Sequence, residues 1–470
     1  MSDNLLGKLA NLAAPRVVPE LDRDFRPAVL VNAAFVKKVE DSGLGVPLVI
    51  GLERGETRSR FETVVFPSGH EMADLNLPYV ERLVKFLLWQ KGGYRVTIGG
   101  PSEIGEYVKG IYSSNGERSF DYGLHGETYF ETPFEIVIAK AEDVLPAHET
   151  SVPMGRHLEG CRIGFDLGAS DRKAAAVIDG ETVYSEEVIW NPRDETDPQY
   201  HYDEIMTGLK SAASHMPRVD AIGGSSAGVF MNNRPMAASL FRSIPKDLFD
   251  SKIKNMFIEI GKEWGVPLEV VNDGDVTALA GAMSLDENAV LGVAMGSSEA
   301  AGYVNEEGNI TGWLNELAFA PIDYNPNAAV DEWSCDLGCG VQYLTQQAVF
   351  RLARKVGIPL DESASLAEQL KSVQALLEAG DERARKIWET IGVYTGYAIA
   401  HYAVFYNIKH MLVLGRVTSG SGGHILIEKA DEVLKCEFPE LAARIQVHLP
   451  DEKMRRVGQA VAAASLPAVE

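Results

Sequence analysis

Cysteine is scarce in this sequence. Four residues in 470 (Cys161, Cys335, Cys339, Cys436) are too few and too scattered for a disulfide scaffold. No apolar run reaches the ~18 residues that a membrane span needs, and the N-terminus MSDNLLGKLANLAAPRVVPELDRDF lacks the cationic start and apolar core of a signal peptide. Positive charge is also in short supply, with 44 Lys and Arg against 67 Asp and Glu and a net charge of −23. That argues against nucleic acid or an anionic membrane as a partner, because phosphate backbones are bound by basic patches. A phosphate ligand stays open, since backbone N–H groups and a metal can hold one. The ten histidines form no HxH or HExxH arrangement, and no GxxxxGK[ST] loop occurs. No Gly/Ser-rich or Pro-rich tract marks long disorder. A soluble, cytoplasmic protein is the expectation.

The chain does contain ample apolar material (46%), and its length predicts two or three domains on the usual scale of roughly 100–200 residues each. Prolines and polar residues cluster at about 144–160, which predicts a boundary. The expected organisation is an N-terminal α/β segment over 1–150, a first lobe over 160–285 and a second lobe over 286–470. In the first segment VPLVIGLERGETRSRFETVVF reads as a hairpin, PYVERLVKFLLWQKGGYRVTIGGPSEIGEYVKGIY as helix, strand and helix, and FDYGLHGETYFETPFEIV as a packed irregular loop. From Cys161 onward strands alternate with helices. CRIGFDLG is a buried strand, KAAAVID and ETVYSEEVIW its antiparallel neighbours, and HYDEIMTGLKSAASHM an amphipathic helix. Helices are expected over Lys246–Trp264, 340–356 and 381–406. Short antiparallel pairs mixed with βα units predict an α/β fold with a mixed sheet.

Four elements carry the chemistry. GFDLGAS places Asp166 at a strand end before the small residues Gly168, Ala169 and Ser170. Such a turn lets a phosphate approach backbone amides, while the acid can hold a hydrated divalent metal. VVNDGDVTALAGAM puts Asn272, Asp273 and Asp275 between a strand and a helix. VAMGSSEAAGY is a second strand–loop–strand, with Gly296, Ser297 and Ser298 at the tip. VLGRVTSGSGG supplies Gly415, Gly420, Gly422 and Gly423 ahead of a helix, where a flat ligand could lie. Taken singly, each is an ordinary loop. GGSSAG (Gly223–Gly228) offers a serine but no identifiable base, and packing of a substrate loop is the preferred reading.

In this order and spacing, the four elements resemble the actin-like ATPase superfamily, and more narrowly its ROK family of repressors and sugar kinases, over roughly residues 162–434. The resemblance implies a two-lobed actin-like (ribonuclease H-like) fold with an added N-terminal α/β segment. It implies ATP-dependent phosphorylation of a sugar or related polyol in a cleft between lobes, with Mg²⁺. By the same resemblance, Asp273 is the general base and Asp166 holds Mg²⁺ through water. Gly168, Ala169, Ser170, Gly296, Ser297, Ser298, Gly415, Gly420 and Gly422 take the nucleotide and its phosphates. Asn272, Glu316 and Ser226 contact the acceptor, and a homodimer is possible. Asp275 is left as an early-helix carboxylate facing the macrodipole.

Three features depart from the family pattern. Asn315-Glu316-Leu317-Ala318-Phe319 stands where the family has ExGH, so Phe319 replaces the His. The family's zinc cluster is reduced to Cys335 and Cys339, short of a tetrahedral site, and zinc is not expected. Glu299 directly follows Ser298 and could face away, help hold Mg²⁺ or weaken ATP binding. Trp313 and Trp333 flank Glu316 and could stack on a sugar or pack in the core. Two rival functions remain: a non-catalytic sugar or nucleotide sensor of the ROK type, and a superfamily ATPase acting on a non-sugar acceptor.

Overall fold

The computed structural model describes residues 2–149, 154–168, 170–450 and 452–469, with the side chains of 2–4 and 452–457 left out. The chain divides into two compact units, and the division is not sequential. One unit comprises 1–150, 294–300 and 313–449, and the other 151–293, 301–312 and 450–470. Among the described residues no helix is long and apolar enough to cross a membrane.

The second unit is built on a five-stranded sheet. Leu268–Asn272, Ala221–Ser226 and Cys161–Leu167 run parallel, and Asp171–Ile178 and Glu181–Ile189 continue from the last of them antiparallel. The turn joining these last two strands has Asp179 and Gly180 at positive φ (49° and 83°), the two-residue hairpin geometry that Asp-Gly favours. Ile163, Phe165, Ile222 and Val270 form a core with the helices Pro198–Ala213 and Met256–Trp264. Glycines populate the opposite face: an ideal Cβ at Gly164 would lie 1.7 Å from the Ala460 carbonyl oxygen, and one at Gly223 1.7 Å from that of Ala463. The helix Glu452–Ala464 therefore lies directly on the backbone of these strands.

In the first unit the strands Thr57–Val65, Val46–Arg54, Arg95–Gly99 and Glu135–Ala139 form one sheet in that order. Its core takes in Val31, Phe35 and Val39 of the helix Ala28–Ser42 and Leu83 and Leu87 of the helix Asn76–Lys91. The expected hairpin and helix–strand–helix are present. The stretch from Phe120, expected as loop, opens with a short helix (Ser119–Gly123) and a π turn (Leu124–Thr128), anchored by Asp121, whose carboxylate is buried against Lys85 and Trp89. Two expected helices are interrupted. Residues 246–264, which belong to the second unit, break where Asn255 leaves helical dihedrals (φ −108°, ψ 9°). Residues 340–356 break at the extended Thr345, whose hydroxyl accepts the Gln347 N–H and starts Gln346–Lys355 afresh. The strand His410–Leu414 pairs parallel with Gln446–His448, and a Gly-rich loop then leads from it into the helix Ser421–Glu437.

Candidate active site

In the second unit, three parallel strands end together. Register aligns Asp166 with Ser225 and Val271, and Leu167 with Ser226 and Asn272. Side chains at the carboxyl ends of adjacent parallel strands are where open α/β sheets bind ligands. Asp166 is buried, accepts the Ser225 hydroxyl at 2.7 Å, and has the Lys173 ammonium 3.9 Å away. Burial raises its pKa, opposed by Ser225 and Lys173. Ser225 and Lys173 were not singled out from sequence; they are the strand-register neighbours of Asp166.

Asn272 is the N-cap of the helix Asp273–Leu285. Its Oδ1 accepts the Gly274 N–H and its Nδ2 donates to the Gly228 carbonyl, both at 2.7 Å. Both ends of the side chain, expected to touch acceptor hydroxyls, are thus engaged in holding the loop and helix. Asp273 opens that helix and is half-buried. Burial pushes its pKa up to about 6, aided by the negative charge of Asp166 and opposed by the N–H groups of Gly274 and Asp273. The helix N-terminus favours the anion, but desolvation wins. Asp275 is buried in the first helical turn. Gly274 admits the backbone of the strand Glu299–Val304: an ideal Cβ there would sit 2.2 Å from the Ala301 carbonyl oxygen. Ser226 is fully buried, and its Oγ has no hydrogen-bond partner among the described residues.

The Gly168 N–H donates to the Asp171 carbonyl at 2.9 Å, and the Gly168 carbonyl accepts Trp190 Nε1 at 2.9 Å. Ser170 is exposed, with its hydroxyl on Asp171. Ala169 lies outside the described residues. Trp190, which fixes this turn, gave no local sign of that role in the sequence.

The remaining expected site residues belong to the first unit. Ser297 and Ser298 are exposed at the tip between Val290–Met295 and Glu299–Val304, and the Gly296 N–H donates to the Ser298 carbonyl at 3.1 Å. Glu299 turns inward. It is buried, its Oε1 accepts the Tyr402 hydroxyl at 3.0 Å, and burial lifts its pKa to about 8. At neutral pH it therefore brings little negative charge to the loop. Gly415 has φ 100° and packs on Met295, where a Cβ would meet the carbonyl oxygen at 2.5 Å. Gly420 (φ 67°) caps the helix Ser421–Glu437, whose first N–H donates to Glu378 at 2.8 Å. The bare Cα of Gly422 lies against Trp388, with an ideal Cβ 2.3 Å from the indole nitrogen. The Glu316 N–H donates to the Trp89 carbonyl at 2.9 Å, and the side chain is half-buried. Phe319 packs on Trp89 and Phe120, with centroids 4.4 and 5.4 Å away. Trp313 donates to Glu149, whereas Trp333 is 75% exposed, so it is not part of the core. Among the described residues no group of three or more His, Cys, Asp or Glu is placed to hold a metal ion.

No family model matches this chain, and no curated protein matches it in sequence. Solved structures do match its fold. A ROK family glucokinase from Streptomyces griseus, in complex with glucose and AMPPNP, is 19% identical with a TM-score of 0.50, over 65% of this chain and 98% of that one. A ROK hexokinase from Thermus thermophilus is 18% identical with a TM-score of 0.50, over 64% and 98%. A ROK family transcriptional regulator, a homolog of the E. coli MLC protein, is 18% identical with a TM-score of 0.51, over 66% and 79%. The chain accordingly has the actin-like α/β fold of the ROK sugar kinases and regulators.

Proposed function

We propose that the chain transfers the γ-phosphoryl group of ATP to a hydroxyl of a sugar or related polyol, with Asp273 as general base. The observation that carries this reading is Asp273 itself. It opens a helix at the carboxyl end of a parallel strand, with its pKa at about 6. Such a group is ionised at neutral pH yet basic enough to take a proton, the compromise general-base catalysis requires. The acceptor oxygen bonds to the γ-phosphorus as the bond from that phosphorus to the bridging oxygen breaks. ADP leaves, and the hydroxyl proton passes to Asp273. The likeness to a glucokinase crystallised with glucose and AMPPNP supports the substrate pair.

Two carboxylates are available to a divalent cation held through water, although no group of three ligands is placed to hold one directly among the described residues. Asp166 and Asp273 are close enough to repel each other's charge, and their hard oxygens suit Mg²⁺. Asp166 would hold the ion through water. When bound, Mg²⁺ offsets charge on the transferring phosphoryl group. Gly168 to Ser170 would bring backbone amides to phosphate, and the orphaned Ser226 hydroxyl and Glu316 would bind acceptor hydroxyls. Asn272 would act mainly by positioning Asp273. Gly296 to Ser298, Gly415, Gly420 and Gly422 would serve the nucleotide.

An ADP-release assay over a panel of monosaccharides and polyols tests this, with acceptor-stimulated turnover expected. Asp273→Ala should lower kcat by about 10²–10⁴-fold, and undiminished turnover in that variant would reject the base assignment. A second reading, a ROK-type sensor without turnover, is favoured by Phe319 in place of the family His and by the likeness to a ROK regulator. Ligand binding with no turnover for any acceptor would select it.

A further inference from the structure

The first unit contains a cavity of about 210 Å³ that the proposed transfer does not use. Phe61, Leu87 and Phe405 supply an apolar wall, and Gln90 and Lys91 a polar one. Gln90 is fully buried. Its Nε2 donates to the Phe405 carbonyl at 2.9 Å, while its Oε1 has no partner among the described residues. A buried acceptor left unpaired is costly, so this wall would gain from a donor in the cavity.

The charges beside it do not balance. Arg54 and Lys91 share one carboxylate, Glu149, at 2.5 and 3.0 Å, and that carboxylate also accepts from Ser59 and from Trp313 Nε1. Two cations thus share one carboxylate, within a chain whose net charge is −23. Burial depresses the Lys91 pKa, and the charge of Arg54 adds to this, despite the opposing pull of Glu149. An added anion would relieve both.

We propose that this cavity binds a small organic carboxylate that carries an apolar body and a hydroxyl or amide donor. The carboxylate pairs with Lys91, the donor meets Gln90 Oε1, and the body lies against the stacked pair Phe61 and Phe405. The site is wired to the segment bearing Glu316. The Asn315 N–H donates to the Gln90 carbonyl at 2.9 Å, and Lys91 sits over the Trp313 ring at 4.0 Å. A ligand here is therefore a regulator of the acceptor segment, a role that rests on the function proposed above; the binding does not.

The probe is 4-hydroxybenzoate, titrated calorimetrically into the full chain beside its neutral analogue 4-hydroxybenzamide. Saturable binding is expected, about tenfold or more weaker for the amide, a difference of roughly 1.4 kcal/mol. Gln90→Leu and Val404→Trp should each weaken it by a similar factor or more. Val404 lines the cavity and is 55% exposed, so Val404→Trp blocks the mouth without disturbing the core. No saturation at millimolar probe, equal binding of acid and amide, or undiminished binding in Val404→Trp would overturn the proposal. None of these readouts depends on turnover, so a failed kinase assay leaves the result interpretable.

Discussion

Asp273 stands where two effects of opposite sign meet, and its titration carries both a stability and a rate prediction. The N–H groups of the helix start favour its anion, while burial and Asp166 disfavour it more strongly, leaving the pKa at about 6 against an ordinary 3.8. A carboxyl whose folded pKa is raised contributes stability that is fully present below pH 3.8 and is lost as pH climbs to 6. Asp273→Asn removes that loss, so above pH 6 the variant should be more stable, by up to about 3 kcal/mol. Urea unfolding at pH 4 and pH 7 measures it, and parallel curves for variant and wild type would reject the perturbed carboxyl. Turnover by the wild type should fall on the acid side with a midpoint near pH 6 as the base protonates. Glu299 gives a second, independent window. Its pKa of about 8 means stability is lost as pH rises from 4.5 through 8. Glu299→Gln, which keeps an oxygen for the Tyr402 hydroxyl, should gain on the wild type by a few kcal/mol between pH 5 and pH 8.

At the scale of elements, strand-to-turn joints were legible in the sequence and long-range contacts were not. The run CRIGFDLG and the strand–cap–helix of VVNDGD are local patterns, and each formed where expected. Gly223 and Gly224 read as a ligand loop because glycine and serine cluster there. Their physical reason instead lies elsewhere: Gly223 meets the backbone of a helix about 240 residues downstream, and Gly224 lies under the ring of Phe165. No local pattern announces such a partner. Gly415 and Gly422, proposed to serve the nucleotide, also have close packing partners in Met295 and Trp388 that no local pattern announces. Gly223→Ala should thus cost about 3 kcal/mol by forcing the helix Glu452–Ala464 off the sheet. A substitution within about 0.5 kcal/mol of wild type in urea unfolding would show that this helix yields freely.

For the molecule as a whole, the open question from sequence was what the first 150 residues do, and the buried charges give part of the answer. Glu81, Arg82 and Lys85 of the helix Asn76–Lys91 meet Arg118, Asp121 and Asp336 in one buried cluster. The cluster holds three cations and three carboxylates, and it ties the N-terminal segment to the stretch around Cys335 and Cys339. Lys85, fully buried, lies 3.1 Å from Asp121 and 3.3 Å from Asp336. Burial opposes its charge, yet the two carboxylates more than offset this and raise its pKa. The N-terminal segment is thereby one body with residues 313–449, and the charged residues of this cluster are internal rather than a solvated face. Breaking a buried ion network by removing one partner costs far more than replacing a balanced pair with apolar groups, because the remaining charge is stranded. Lys85→Met should therefore destabilise the chain by about 3–5 kcal/mol. Lys85→Met combined with Asp121→Leu should recover part of that loss, less the hydrogen bond from Trp89 Nε1 to Asp121. Denaturant unfolding of the two variants decides the matter. If the single variant cost less than about 1 kcal/mol, the cluster would be no more than a set of surface-strength pairs, and the N-terminal segment would owe its place to the apolar core alone.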